Sequence, residues 1–241
     1  MNFIRGLPLS FQAGGDLPRC CEADQMLYDF SQLSAQDTYK LVVSTIVPRP
    51  IAWVTSLDQR GRLNAAPFSF FNAMSGQPPI LVLGIGNREE GGPKDTLRNI
   101  QDTGEFVINL VNQELAQAMN VTATPFAPGV NELNEAELES APCHLVRPPR
   151  ILKSPVAFEC QLVQTVSVCP ANTIVIGRAL AMHIQDRYLL DPAKHYVDTP
   201  ELKLVGRMHG AGWYTGTQEL FQIKRYTVES WQASRDVQTG N

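Results

Sequence analysis

The segment Pro48-Arg49-Pro50-Ile51-Ala52-Trp53-Val54-Thr55-Ser56 constrains this chain more than any other. Its two prolines fix φ and push the residues before them into extended geometry, so a strand enters here through a stiff corner. Asp58-Gln59-Arg60-Gly61 has turn chemistry. Asn64-Ala65-Ala66-Pro67-Phe68-Ser69-Phe70-Phe71 then returns with small residues and a hydroxyl. Alternation along the first arm separates Ala52, Val54 and Ser56 from Ile51, Trp53 and Thr55, leaving one face small enough for a flat ring to lie close. The pair of segments reads as an open shelf where a ring and a polar tail can approach backbone amides.

Ile51 to Leu57, Ile80 to Ile85, Phe106 to Val111, Phe158 to Val168 and Thr173 to Ile184 are rich in β-branched or aromatic residues and bounded by turn formers, which predicts strands. Ser34 followed by Asp37 is an N-terminal helix signal, and Tyr39, Leu41, Val42 and Ile46 supply the apolar stripe of a helix from Ser34 to Ser44. Lys94 to Gln101 and Gln113 to Val121 have helical spacing. Residues 1–25 show no sustained period and read as a loosely attached N-terminal extension, with Met26 an alternative start. The domain proper runs over 26–241. Residues 125–155, with four glutamates and then Arg147-Pro148-Pro149-Arg150, read as an excursion outside the sheet. It is either a lid or a surface connection or dimer contact.

Several motifs together resemble the flavin reductase-like family of FMN-binding split barrels, in the branch that shares Pro-Arg-Pro-Ile-Ala-Trp-Val. Lys94-Asp95-Thr96-Leu97-Arg98-Asn99-Ile100, Gly104-Glu105-Phe106-Val107-Ile108-Asn109 and Gly206-Arg207-Met208-His209-Gly210 follow in the family's order. The resemblance implies a mainly β fold, an FMN-binding split β-barrel of Greek-key type with a few peripheral helices. It also implies a homodimer with flavin near the interface.

Composition narrows the function. With 44% apolar and 18% charged residues the chain is ordinarily globular. A net charge of −4 and no dense Lys/Arg run argue against a nucleic-acid partner. No apolar run reaches membrane-spanning length and no signal-peptide pattern opens the chain, so no membrane association and a cytoplasmic location are expected. Cys20, Cys21, Cys143, Cys160 and Cys169 lack a Cys-x-x-Cys spacing, and the four histidines lack a pairing pattern, so no metal site is expected. Gly84-Ile85-Gly86 lacks the third glycine of a dinucleotide fingerprint, and neither a nucleophile elbow nor a phosphate loop occurs.

FMN needs a phosphate site, a polar surface for its ribityl chain and pyrimidine edge, and an apolar shelf. Lys94, Asp95 and Thr96 stand where a helix begins, and unpaired N–H groups there suit a phosphate; the same residues can instead be a cap and a solvated lysine. By the resemblance, Val54, Thr55, Ser56, Asn64, Ala66, Phe68 and Ser69 cradle the flavin. Arg49 pairs with phosphate, with a backbone carbonyl or in a corner-bracing salt bridge. Arg207 lies in a glycine-rich loop that the family places beside the flavin. Trp53, Phe70 and Phe71 read as packing residues. His209 is a candidate proton donor or nicotinamide contact, but a lone histidine is more often structural, and no catalytic residue is assigned.

The implied activity is flavin reduction by NAD(P)H, with FMN or FAD as flavin and a partner oxygenase or redox protein receiving the electrons. The cofactor carries the chemistry, which accounts for the lack of a nucleophile and base constellation. The rival is a flavoredoxin-like electron carrier without its own nicotinamide site. A third possibility is a barrel without flavin that serves only as an interaction module.

Overall fold

The proline corner forms β1 (Arg49–Pro50), and the segment after it forms β2 (Ala52–Leu57), which turns at Asp58 to Gly61 into β3 (Leu63–Phe68). Asp58 shapes that turn by accepting the backbone N–H groups of Arg60 and Arg62 at 2.9 and 2.8 Å. The computed structural model, which describes residues 26–239, continues with β4 (Phe71–Gly76), β5 (Pro79–Gly86) and β6 (Glu105–Asn109). The short β7 (Ser140–Ala141) and β8 (Arg150–Ile151) pair with each other. The long hairpin β9 (Val156–Cys169) and β10 (Asn172–Ile184) follows, then β11 (Leu189–Asp191), β12 (Tyr196–Val197), β13 (Val205–Arg207) and β14 (Tyr214–Gly216).

Seven strands make one antiparallel sheet in the order β3-β2-β6-β9-β10-β5-β4. Its two edge strands, β3 and β4, are consecutive in the chain and joined only by Ser69 and Phe70. Two residues cannot span an open sheet of seven strands, so the sheet must curl until its ends meet, with the split between β3 and β4. This is the split barrel that the sequence implied.

Barrel closure explains the burial. Ala52 and Val54 of β2 point inward with Leu81, Leu83, Ile85, Phe106, Ile108, Cys160 and Val175, and α2 (Asp95–Thr103) adds Leu97 and Ile100 to the same core. This helix is therefore an end plug of the barrel. Gly177 on β10 makes room for the Phe106 ring: a Cβ there would lie 2.4 Å from the ring's Cζ. The opposite face of β2 carries Trp53 into a second core with Ile51, Ala65, Val111, Leu115, Met119, Leu133 and Ile151. The Trp53 indole N–H donates to Thr122 Oγ1 at 2.8 Å, just past α3 (Ala116–Val121).

The excursion is tied to that second face. It contains α4 (Glu132–Glu135), whose Leu133 is buried, and β8, whose Ile151 is buried. Asn109 Oδ1 accepts the Ile151 N–H at 2.8 Å, and the Thr55 hydroxyl donates to the Pro149 carbonyl at 2.6 Å. Much of the excursion thus covers the outside of β2 and β6.

Two expectations require correction. The helix α1 (Ala35–Thr45) is capped as expected, Ser34 Oγ accepting the Asp37 N–H at 3.1 Å, but its one buried residue is Val43, while Tyr39 and Ile46 are exposed. Phe70 is also exposed, because it sits in the two-residue link across the split. Residues up to Tyr39 and residues from Lys40 onward form separate units, and the expected extension 1–25 lies outside the described residues. The C-terminal helix α5 (Val228–Thr239) follows a stretch without regular structure. No described helix is long and apolar enough to cross a membrane.

Candidate functional site

The loop Gly91-Gly92-Pro93 delivers the chain to α2 with Lys94 extended at the N-cap, φ −64° and ψ 154°. Lys94 makes no side-chain cap bond, and its ammonium stands 5.9 Å from the centre of the Phe68 ring on β3. A cation held over an aromatic face at the end of a helix whose first N–H groups lack intrahelical partners is a favourable place for an anion.

Thr96, one residue into the helix, is buried, and its hydroxyl is 2.9 Å from the Asn64 side-chain amide. The amide orientation that satisfies both ends has Asn64 Oδ1 accepting from Thr96 and Nδ2 donating to Glu132 Oε1 at 3.3 Å. One turn further along α2, Asn99 Nδ2 donates to Ser56 Oγ at 3.2 Å. These bonds fix the end of β2, the start of β3 and the first turns of α2 as one rigid corner.

Two carboxylates border the corner. Asp95 pairs with Arg88 in a short contact and with Arg98 at 3.3 Å, which offsets its charge. Glu132 accepts the Ala65 N–H at 2.9 Å; burial pushes its carboxyl above the usual value, with a lesser push from Asp95. A cleft of about 300 Å³ with lining of both charges opens here, between Arg60, Arg62 and Arg98 and the carboxylates of Asp58, Asp95 and Asp102, with residues 128–130 of the excursion along its edge. Sequence reasoning missed Asn99 and Glu132. Asn99 had a signal, since it stands three residues after Thr96 on the same helix face. Glu132 had none, because only the excursion's return brings it to β3.

The second group of expected residues gathers at the proline corner. β1 pairs with β13, which sets Arg49 opposite Arg207. Arg49 is buried and donates to the carbonyls of Val43 at 2.5 Å, Ile46 at 3.1 Å and Met208 at 2.9 Å, with Ser69 Oγ at 3.5 Å. Bonds to backbone carbonyls, one of the roles left open by the sequence, are thus present. Arg207 lies over the Tyr214 ring at 4.8 Å and donates to the Gly210 carbonyl at 3.1 Å. The exposed His209 stacks on Trp213 at 6.0 Å. Ser69, next to Phe68, joins this group to Lys94.

One sequence expectation is reversed. The small face of β2 does not form an open shelf: Val54 is in the barrel core, Ser56 is held by Asn99, and neither exposes surface. A closed barrel of this size fills its interior with side chains, so the smallness of that face serves packing. Thr55 is equally buried on the outer face, and Ala66 packs against the barrel core. The accessible part of the expected set is Lys94, Asp95, Asn64, Ser69 and Arg207, with Ala66 partly exposed and Phe68 beneath Lys94.

Residues 43–200 match the model of the flavin reductase like domain. An uncharacterised protein of Deinococcus radiodurans is 41% identical, covering 85% of this chain and 92% of its own. Uncharacterized protein YwrF of Bacillus subtilis is 38% identical over 76% of this chain and 91% of its own. Among solved structures, nitrilotriacetate monooxygenase component B from Bacillus cereus superposes with TM-score 0.79 at 28% identity, covering 84% of this chain and all of that one. The 2-nitrobenzoate 2-nitroreductase NbaA of Pseudomonas fluorescens gives 0.76 at 30% identity, with 84% and 98% covered. With most of its β-barrel inside the matched region, this chain belongs to the flavin reductase-like domain family.

Proposed function

We propose that this protein is an FMN-binding flavin reductase that transfers hydride from NAD(P)H to flavin. Family membership supplies the coarser statement, an oxidoreductase with a flavin as cofactor or substrate. The observation that carries the finer one is the Lys94 corner: a cation over Phe68 at the N-terminus of a nine-residue helix, tied through Thr96 to Asn64. This donor set fits a phosphate dianion, and the arginines that neutralise Asp95 remove the nearest repulsion. When bound, the flavin supplies the redox chemistry, and the protein binds and orients it.

In this reading Lys94 and the first N–H groups of α2 hold the phosphate, with Thr96 and Asn64 shaping the pocket beside it. Ser69 and Arg207 bound the far side of the ring, and Arg49 positions them from beneath. Val54, Thr55, Ser56 and Ala66 keep the floor rigid. The flavin is FMN in this reading, with FAD an alternative that the same corner could take by one of its phosphates. The partner is an oxygenase component, by likeness to nitrilotriacetate monooxygenase component B, at 28% identity. The protein acts in the cytoplasm as a homodimer with flavin near the interface. The exposed Leu220, Phe221 and Ile223 supply apolar surface for such a pairing. Light scattering tests the dimer, and a stable monomer refutes it.

The activity is tested by adding NADH or NADPH anaerobically to FMN-loaded protein while following the visible absorbance of oxidised flavin, with free FMN as control. Bleaching faster than the control is the expected result. Bound flavin that neither nucleotide bleaches would replace this reading with that of an electron carrier.

A further inference from the structure

On the barrel's outer face, two strands across from Thr55, three metal-ligating side chains from three segments of the chain converge. Cys143 comes from the excursion, Glu159 from β9 and His183 from β10, and their ligand atoms lie within 4.8 Å of one another. We propose that Cys143, Glu159 and His183 form a binding site for a divalent transition-metal ion of the zinc type, which staples the excursion to the barrel.

The donor set suits such an ion. Thiolate, imidazole and carboxylate together match zinc's mixed preference, while a site for magnesium or calcium would be all oxygen. Zinc bonds of about 2.0–2.3 Å put neighbouring ligand atoms about 3.3–3.6 Å apart in a tetrahedron. The longest edge of the triangle here is within 4.8 Å and the shortest, from His183 Nε2 to Glu159 Oε1, is 2.6 Å. Small side-chain rotations convert one arrangement to the other. Three protein ligands leave a fourth position for water, and the His144 ring stacks on His183 at 5.6 Å.

The surroundings hold the central ligand in place. Glu159 is wholly buried, and its Oε1 accepts the His144 N–H at 2.9 Å while Oε2 accepts those of Leu145 at 2.5 Å and Val146 at 3.1 Å. A carboxylate has about four acceptor positions; the three N–H bonds take three of them and orient the group, and the fourth is filled by His183 Nε2, whose contact with Oε1 a metal bound between the two would replace. Burying a carboxylate on the outer face of β9 is costly unless it is paired, and the excursion supplies the backbone partners. Cys143 and His183 are only partly buried, which gives an ion access from solvent.

The test uses the full chain, dialysed against chelator and titrated with zinc chloride in competition with a chromophoric chelator. One zinc per chain is expected, with a rise in melting temperature. Cys143→Ala and His183→Ala should each weaken binding on the order of a hundredfold and abolish the rise, while Cys169→Ala, at an exposed thiol elsewhere, should change neither. Glu159 is left intact because it also anchors the loop. Far-UV circular dichroism confirms that the variants fold. Substoichiometric zinc on the wild type, or equal affinity in the Cys143 and His183 variants, would overturn the proposal. Cobalt gives an independent readout: the flavin-free protein should show a thiolate-to-metal absorption band, and its absence would count equally against the site.

Discussion

Replacing Arg49 by Met retains much of the aliphatic stem and removes the guanidinium. Arg49 is only 6% exposed and serves the carbonyls of Val43, Ile46 and Met208. Val43 lies in the last turn of α1 and Ile46 just beyond it, where carbonyls lack intrahelical donors and a positive charge is favoured. Each bond from a charged donor is worth about 1.5–3 kcal/mol net. The bonds share one group, and carbonyls near the surface regain water, so the sum falls short of additive. A loss of about 3–5 kcal/mol is expected, typical of breaking a buried charged contact. For a domain with about 5–15 kcal/mol of stability this is a large fraction. Urea unfolding followed by tryptophan fluorescence measures it as a lower midpoint at unchanged slope. Arg49→Lys should lie between, because one ammonium cannot reproduce the planar fork. A loss below about 1 kcal/mol in Arg49→Met would refute the brace, since even one such bond is worth more.

Other substitutions test other links. Lys94→Ala should weaken FMN binding about ten- to a hundredfold in a fluorescence titration, as for one charge-assisted contact, and unchanged affinity would remove Lys94 from the site. Gly177→Ala should cost about 1–3 kcal/mol in chemical denaturation, because the new methyl meets the buried Phe106 ring; a neutral result would mean that the barrel core yields there. Glu132 has a carboxyl pKa raised above its ordinary 4.5, chiefly by burial. The stability linked to its protonation is complete below pH 4.5 and is lost as pH rises through the folded value. Glu132→Gln keeps an acceptor for the Ala65 N–H, so its melting temperature relative to wild type should rise between acidic and neutral pH. A difference independent of pH would contradict that assignment.

Strand positions were legible because their chemistry is local. The Pro48–Pro50 corner, the turn at Asp58 and the β-branched runs determine extended structure wherever they occur, the helix start at Ser34 follows from capping, and that at Lys94 from the Gly91-Gly92-Pro93 loop before it. What local pattern lacked was direction. Alternation identified a small face on β2, but only closure of the barrel turned Ala52 and Val54 inward and made α2 a plug. Phe70 has the composition of a core residue and is exposed because the split falls beside it.

The candidate site divides in the same way. Lys94, Thr96, Asn64 and Ser69 could be selected from residue type and motif order, and family membership rests on those motifs. Glu132, Asn99 and the carbonyl partners of Arg49 required the fold. So did Cys143, Glu159 and His183, whose separations in sequence match no metal-binding spacing. The sequence by itself determined the strand-rich architecture and the helix start at which Lys94, Asp95 and Thr96 stand. Tertiary structure alone decided which face is buried and which polar groups meet, because sheet order brings β6 beside β2 and β9 beside β6 and the excursion folds onto β9, and chain periodicity carries no record of those neighbours.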